Sequence, residues 1–283
     1  MKEGENMRIY PKITAQKNGE EMDKIVKESE GIEIQYFDEN GIMSEFNFED
    51  TIRMRKQQYP NLKEITVHPP LSNYNLEMVV CKDIKLVEEQ LKKLVQLSEE
   101  LNIETNMIFH TYWTKNQYIA TGLVQKLKEL LKIIENKPVT ILIENLYMIL
   151  DEKQECSAIE IVKYIDHPNL RACIDTTHVH CKANIYKKDF DELVNQEFEP
   201  ATCEKYVKQV HFASALNNDG YIEKRTHGRK HESIEELAKE YEWLKNHGMG
   251  EKNYITEVSE DDYSTRVDQI EEIKMLKEVY EHK

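Results

Sequence analysis

Residues 170–178 read Leu170-Arg171-Ala172-Cys173-Ile174-Asp175-Thr176-Thr177-His178. This stretch is a short, almost entirely apolar run that follows Pro168-Asn169 and ends in a carboxylate, two hydroxyls and an imidazole. Such a run is typical of a strand buried on both faces of a parallel sheet. Barrels and open α/β folds place their chemistry at the carboxyl ends of such strands, where Asp175 and His178 lie. The alternative is that Asp175 caps the following turn and that His178 is an ordinary loop histidine.

The same pattern recurs along the chain, as short apolar strands that alternate with amphipathic helices. We predict strands at 7–13, 32–36, 64–68, 106–110, 139–144, 170–175, 206–211 and 253–257. We predict helices at 19–29, 48–58, 83–101, 123–134, 158–165, 188–195, 233–246 and 265–280. Regular alternation over this length predicts a single (β/α)8 TIM barrel that spans 1–283, with 1–6 as a polar N-terminal extension. The alternative, a doubly wound open sheet, is disfavoured because no G-x-G-x-x-G follows any strand.

Composition bounds the size of the core and the kinds of partner. The chain has 283 residues, of which 40% are hydrophobic and 32% charged, enough for one large domain or two modest ones. Its formal net charge of -15 repels nucleic acid at long range, although bound metal ions or a local basic rim can invert the field at a site. The five cysteines lack C-x-x-C spacing and indicate neither a disulfide framework nor a zinc finger. Because the N-terminus is polar and no apolar stretch is long enough for a membrane span, we expect a cytoplasmic protein.

The third to the eighth predicted strands each end in a side chain that can bind a metal. These side chains are His68, His110, Glu144, Asp175, His211 and Glu257. In a barrel all strand ends converge on one mouth, so these groups would meet in space. Buried carboxylates beside imidazoles are costly unless they are paired or bind a metal. The sequence therefore predicts a metal centre, with a hydrogen-bonded polar network as the alternative.

The types of donor narrow the choice of ion and of chemistry. Imidazole mixed with carboxylate suits zinc, manganese, iron or cobalt. The number of donors exceeds what one tetrahedral ion requires, which favours two or three ions with Glu144 or Asp175 as a bridge. Two ions can clamp the attacking and leaving oxygens of a phosphoester. One ion with a pair of carboxylates that shuttles a proton is typical of sugar isomerases and epimerases.

Several of these stretches resemble the family-2 AP endonucleases (endonuclease IV). Residues 170–178 resemble the signature of that family, and residues 139–145, which end in Ile143-Glu144-Asn145, are similar to its glutamate strand. The order continues through His211, through His231 in Arg229-Lys230-His231-Glu232-Ser233-Ile234, and to Glu257. Val67-His68-Pro69-Pro70, followed by Asn75-Leu76, and Phe109-His110 resemble the first two histidine positions of the family. The similarity covers nearly the whole chain and implies the xylose-isomerase-like TIM-barrel superfamily.

Position by position, the resemblance implies three metal sites that hold two or three ions, with zinc expected and manganese or cobalt as other candidates. The first site would use His68, His110 and Glu144; the second Glu144, Asp175, His211 and Glu257, with Glu144 as the bridge; the third His178 and His231. The family has an aspartate two residues before the last histidine, where this chain has Arg229. His227, one helical turn before His231, could replace that ligand, or Arg229 could bind a substrate phosphate.

The loop 224–231 is the most basic stretch of this acidic chain. It is either a solvated loop or an anion-binding rim at the barrel mouth, with Arg229, Lys230 and His227 as substrate-binding residues. Tyr112 and Trp113 follow the fourth strand and could stack on a sugar or enter a DNA duplex. Arg53, Arg55 and Lys56 form one short helix face, which is too small to track a DNA backbone.

Three hypotheses about function follow. The first, which the sequence favours, is a metal-dependent hydrolase of the endonuclease IV type, which cleaves a phosphoester, such as an abasic site in DNA, with a metal-bound hydroxide near the catalytic Glu144 and Glu257. The second is a divalent-metal-dependent isomerase or epimerase of a sugar or sugar phosphate, with Glu144 and Glu257 as the proton-transfer pair. The third is a barrel that keeps its metal but binds a regulatory ligand. The expected partner is a small phosphorylated or sugar substrate, or damaged DNA, and no membrane.

Overall fold

A closed barrel of parallel strands forms the centre of the molecule. The computed structural model describes residues 7–14, 18–36, 47–69, 84–110, 117–145, 158–187, 189–214, 228–260 and 264–282. Its strands are β1 (Arg8–Tyr10), β2 (Lys12–Thr14), β3 (Gly31–Gln35), β4 (Glu64–His68), β5 (Glu104–His110), β6 (Val139–Glu144), β7 (Leu170–Asp175), β8 (Val207–Phe212) and β9 (Asn253–Thr256). Neighbours in the order β1-β9-β8-β7-β6-β5-β4-β3-β2 are hydrogen-bonded in parallel.

The barrel closes through its first strand, which is divided into two segments. β1 pairs with β9, whereas β2 pairs with β3 on the other side. Pro11 lies between the segments and has no amide hydrogen, so it interrupts the ladder while its carbonyl still accepts from the Glu33 N–H at 3.0 Å. If β1 and β2 are counted as one strand, the barrel has eight strands, which confirms the predicted (β/α)8 TIM barrel.

Helices alternate with the strands and bury their apolar faces in the core. They are α1 (Glu20–Glu28), α2 (Phe48–Gln58), α3 (Ile84–Leu101), α4 (Gln117–Ile134), α5 (Ala158–Ile165), α6 (Thr176–Tyr186), α7 (Phe190–Glu197), α8 (Pro200–Tyr206), α9 (Ile234–Asn246) and α10 (Val267–Glu281). In α3, for example, Val87, Leu91, Leu94 and Leu97 are buried at the predicted helical spacing. Within the part of the chain that the structure describes, no helix is both long and apolar enough to cross a membrane.

Two helices, α6 and α8, are absent from the sequence prediction. The sequence of α6 begins Thr176-Thr177-His178 and contains few strong helix formers, so neither propensity nor periodicity indicates it. It begins where it does because the Asp175 carboxylate accepts a hydrogen bond from the His178 N–H at 3.0 Å, which caps the helix. α8 is short and starts with Pro200 at its first position, where the missing N–H costs nothing.

The cationic face predicted on α2 is not formed. Arg55 is buried, and its guanidinium donates to the Thr14 carbonyl oxygen at 3.1 Å. Arg53 pairs with Glu100 of α3, so its charge is already matched. Helix periodicity alone does not distinguish a solvated arginine from one whose stem and head are buried with a backbone partner. The third predicted cation, Lys56, donates to the Pro60 and Leu62 carbonyl oxygens at 2.7 Å, so all three side chains are engaged within the molecule.

A buried polar network fills the amino-terminal end of the barrel. The Glu64 carboxylate, at the first residue of β4, accepts from Asn106 at 2.7 Å and from Asn253 at 3.0 Å. Lys208 of β8 lies 2.9 Å from the same carboxylate and matches its charge. Two amides and one lysine satisfy the Glu64 carboxylate at this end of the barrel. The metal-competent side chains at the opposite end therefore form a separate group.

Candidate metal centre

The carboxyl ends of the strands bring the six predicted donors together. His68, His110, Glu144 and Asp175 are the last residues of β4 to β7, His211 is the next-to-last residue of β8, and Glu257 follows β9 directly. The sheet register places His110 beside Glu144 and Asp175 beside His211. All six side chains are buried. The expectation that residues from 68 to 257 converge on one centre therefore agrees with the geometry.

The Glu144 carboxylate lies at the middle of this group and faces all three of its histidines. Its Oε2 is 3.2 Å from His110 Nε2 and 3.6 Å from His68 Nε2. Its Oε1 is 3.4 Å from His211 Nδ1, which also contacts Glu257 Oε2. Glu144 therefore contacts members of both the first and the second implied metal site, as the predicted bridging ligand would.

The donor atoms form overlapping sets that are close enough to hold a metal ion. Among the described residues, four sets have ligand atoms that all lie within 4.8 Å of one another. These sets are Glu144-Asp175-His211-Glu257, His68-His110-Glu144, Glu33-His68-His211-Glu257 and Glu144-Cys173-His211. The first two have the same members as two of the sites that the family resemblance implies. All the donors are buried, so water does not compensate for the crowding of their charges.

The electrostatics of the centre fit a bound cation. Burial raises the pKa of Asp175, and the Glu257 and Glu144 carboxylates raise it further, against the opposing effect of His178. Burial and the nearby Lys12 ammonium lower the pKa of His68 to about 4, so its imidazole is neutral at pH 7, the form that binds metals. Burial opposes the charged form of His211, but Cys173 and the Glu257, Glu33 and Glu144 carboxylates raise its pKa well above the ordinary range. A divalent ion in this site would displace the His211 proton and match the charge of the carboxylates in its place.

Two members of the centre, Lys12 and Glu33, were missed by the sequence analysis. Lys12 Nζ lies 2.5 Å from Glu257 Oε1 and 2.8 Å from Glu33 Oε1. Glu33 Oε2 accepts from Gln209 Nε2 at 2.7 Å and lies 2.8 Å from His211 Nε2. The alternation at 32–36 was a signal for Glu33, but alternation does not show whether the polar face points to solvent or to the barrel axis.

Asp175 and His178 have both a structural role and a place at the centre, the two interpretations that the sequence left open. Asp175 caps α6 and also belongs to the donor set around Glu144. His178 Nδ1 lies 2.8 Å from the Asn145 carbonyl oxygen, 3.4 Å from Asp175 Oδ2 and 3.7 Å from Glu144 Oε1. The Asn145 side chain in turn accepts from the Asp175 N–H at 2.8 Å. This network fixes the position of Asp175, and it places His178 at the edge of the centre.

The structure does not place His231 with the other donors. Its Nδ1 contacts Glu272 of α10, and its Nε2 lies 3.2 Å from Glu240 of α9. The imidazole stacks on Phe212 with ring centroids 4.9 Å apart, and Glu240 also lies 3.4 Å from His180. His231 therefore joins a cluster of ion pairs between the barrel and its last two helices, instead of a third metal site with His178.

Replacing His231 by glutamine is expected to weaken the pH dependence of stability. Burial lowers the pKa of His231, but Glu240 and Glu272 raise it to about 10, above the ordinary 6.5. The imidazolium then stabilises the fold fully below pH 6.5, and this contribution is lost as the pH rises through 10. Thermal unfolding is measured at pH 6.5 and at pH 10. Between these two pH values the Tm of the wild type should fall by more than the Tm of His231→Gln. His247→Gln, at the end of α9, is the control and should behave as the wild type; an equal loss in His231→Gln would contradict the assignment.

The predicted substrate-binding residues fall into two groups. The Arg229 side chain is exposed, and its backbone pairs with Ser214. The Lys230 ammonium pairs with Asp268 and Glu271 of α10, so its charge is matched by this helix. His227, Tyr112 and Trp113 lie outside the described residues. The expected anion-binding rim is therefore reduced to one exposed arginine in the described part of the loop.

A family model described as xylose isomerase-like TIM barrel matches residues 30–270, and the chain belongs to this family. A search of curated proteins gives no match. Among solved structures, the chain is similar to a 3-keto-D-glucoside 4-epimerase from E. coli, with 11% identity, a TM-score of 0.63, and 96% of this chain and 100% of that chain covered.

Two further structures share the fold over similar lengths. A D-tagatose 3-epimerase-like protein is 20% identical, with a TM-score of 0.61 and 98% of each chain covered. The IOLI protein with a bound zinc atom is 16% identical, with a TM-score of 0.60 and 96% of each chain covered. At these identities the likeness shows the fold, and it agrees with the xylose-isomerase-like superfamily expected from the sequence.

Proposed function

We propose that the protein is a divalent-metal-dependent epimerase or isomerase of a keto sugar, which is the second of the three hypotheses. The observation that carries this proposal is the buried set Glu144-Asp175-His211-Glu257 at the carboxyl end of the barrel. It combines donors for one ion with two carboxylates that can move a proton. Similarity to sugar epimerases supports the same choice.

Glu144, Asp175, His211 and Glu257 would hold the ion. When bound, a divalent ion polarises a carbonyl and a neighbouring hydroxyl of the sugar, which makes the C–H bond beside the carbonyl more acidic. The carboxylate of Glu144 or Glu257 takes the proton from that carbon, and the carboxyl group of the other returns a proton to the opposite face. The two side chains come from different elements, Glu144 from the end of β6 and Glu257 from directly after β9, and both contact His211 Nδ1, so two separate carboxylates lie beside the site.

The surrounding contacts keep this pair in position. Lys12 donates to Glu257 Oε1, and His211 Nδ1 contacts Glu257 Oε2, so both oxygens of this carboxylate are oriented. His110 and His211 orient the two oxygens of Glu144 in the same way. A carboxylate held on both oxygens loses little rotamer freedom when substrate binds, which favours a defined direction of proton transfer.

A phosphoester hydrolase is the second candidate, because one observation favours it. The set His68-His110-Glu144 supplies donors for a second ion next to the first set, with Glu144 shared. Two adjacent ions are the arrangement that clamps a phosphoester. The net charge of -15 and the matched charge of Lys230 disfavour nucleic acid as the substrate.

Solvent deuterium exchange tests the proposed function. Protein saturated with Mn²⁺ or Zn²⁺ is incubated in deuterated water with a panel of ketohexoses, ketopentoses and their phosphates, and the products are followed by NMR. We expect an epimer or isomer that carries deuterium at the carbon beside the carbonyl. Cleavage of a phosphoester or of an abasic duplex without any exchange would support the hydrolase instead. Metal-loaded protein that acts on neither would favour a ligand-binding barrel.

A further inference from the structure

We propose that the Lys12 ammonium occupies the place of an additional metal ion and limits the number of ions that the centre can hold. This inference rests on the proposed metal centre and concerns a residue that neither the sequence nor the family resemblance singled out. Lys12 lies on β2, directly after the break at Pro11. Its side chain is 2% exposed, so water does not solvate its charge.

The position of Lys12 is that of a cation between two acidic ligands. Its Nζ lies 2.5 Å from Glu257 Oε1 and 2.8 Å from Glu33 Oε1. Both carboxylates are buried at the barrel axis. A buried ammonium that bridges two buried carboxylates matches their charge at close range, as a bound metal ion would.

One of the four donor sets is already neutralised by this contact. The set Glu33-His68-His211-Glu257 has ligand atoms close enough for an ion, and Lys12 contacts both of its carboxylates. The second oxygen of Glu33 is engaged by Gln209 and His211. A divalent ion in this set would lie beside an ammonium in a region without water, where the repulsion of like charges is strong. Lys12 therefore excludes an ion from this set.

The exclusion directs metal binding toward Glu144 and Asp175. Glu257 is shared: its Oε1 is held by Lys12, whereas its Oε2 faces His211 and the Glu144-Asp175 side. An ion held there keeps Glu257 both as a ligand and as a proton-transfer group. Lys12 is thus a positioning residue that keeps the centre to few ions, and one ion is enough for the proposed epimerisation.

A count of bound zinc tests this role. Wild type and Lys12→Met are dialysed to equilibrium against Zn²⁺, and the zinc per chain is measured by elemental analysis. Methionine keeps an unbranched side chain of similar length but removes the charge. We expect Lys12→Met to bind one more ion per chain than the wild type. The double variant Lys12→Met/Glu33→Gln should return to the wild-type number, because the extra site loses an anionic ligand.

A matched control separates this effect from the loss of any buried lysine. Lys182→Met removes a buried ammonium that lies 2.5 Å from Glu197 in the helical layer, and it should leave the zinc count unchanged. Equal zinc in Lys12→Met and wild type would overturn the inference. So would a Lys12→Met protein that stays unfolded at saturating Zn²⁺, since the ion is expected to replace the ammonium. Because the test compares counts and needs no turnover, failure of the proposed sugar chemistry would be visible separately.

Discussion

Glutamine in place of Glu144 is expected to lower turnover of the ketose substrate by about 10²–10⁴-fold, the range of a lost general acid or base, or more if the ion is also lost. Glu144 is the side chain on which the centre depends most, since it contacts His68, His110 and His211. The amide cannot accept a proton from carbon and carries no charge to match a cation. The measurement is kcat at saturating metal, with zinc per chain determined on the same sample.

A second buried glutamate on the barrel strands provides the control for this substitution. Glu64→Gln changes a carboxylate that is equally shielded from water but lies at the opposite end of the barrel, where it pairs with Lys208 and Asn106. Its kcat should stay within a few-fold of the wild type. If Glu144→Gln retained wild-type turnover with full metal content, proton transfer by Glu144 would have to be abandoned.

Removal of the metal ion is expected to lower Tm on the order of 10 °C, and restoring the ion should reverse the loss. The physical reason is linkage: an ion at about 1,000 times its Kd stabilises the folded state by about 4 kcal/mol, because the unfolded chain does not assemble the site. In its absence, Glu144, Asp175 and Glu257 remain crowded together in the protein interior. Thermal unfolding of chelator-treated protein, before and after Zn²⁺ is added back, measures the effect.

The variant Asp175→Ala identifies the site responsible for this stabilisation. It removes one ligand of the Glu144-Asp175-His211-Glu257 set together with the cap of α6. Its Tm should be low with or without Zn²⁺, whereas Asp189→Ala, which removes only the cap of α7, should keep the wild-type response to metal. A wild type whose Tm is the same in chelator and in zinc would contradict the metal centre.

The barrel and the six clustered donors could be predicted because strand periodicity and strand ends are local features of the sequence. The predicted strands at 64–68, 139–144 and 170–175 coincide with β4, β6 and β7. The rule that parallel strands converge at their carboxyl ends then places His68, Glu144 and Asp175 in one group. This inference requires the order of residues and a fold class, but no detail of packing.

The partners of Lys12 and His231 could not be predicted, because they depend on contacts between distant parts of the chain. Lys12 meets Glu257, and His231 meets Glu240 and Glu272, through packing that no spacing in the sequence records. The family resemblance implied a third site with His231, and no pattern in the sequence indicated the Lys12 ammonium. The missing His231 removes a ligand from the third site, and Lys12 supplies positive charge inside the centre. Both differences lower the number of ions expected there, in line with the proposed epimerase.

Anomalous X-ray scattering from crystals of protein purified without chelator locates any ion at the carboxyl end of the barrel. We expect a divalent ion within bonding distance of Glu144, Asp175, His211 and Glu257, at about 2.0–2.2 Å from their ligand atoms if the ion is zinc. Zinc added to the crystals should increase the occupancy of this position. A folded, zinc-soaked protein in which these four side chains hold no ion, or in which the ion binds elsewhere, would rule out the metal centre.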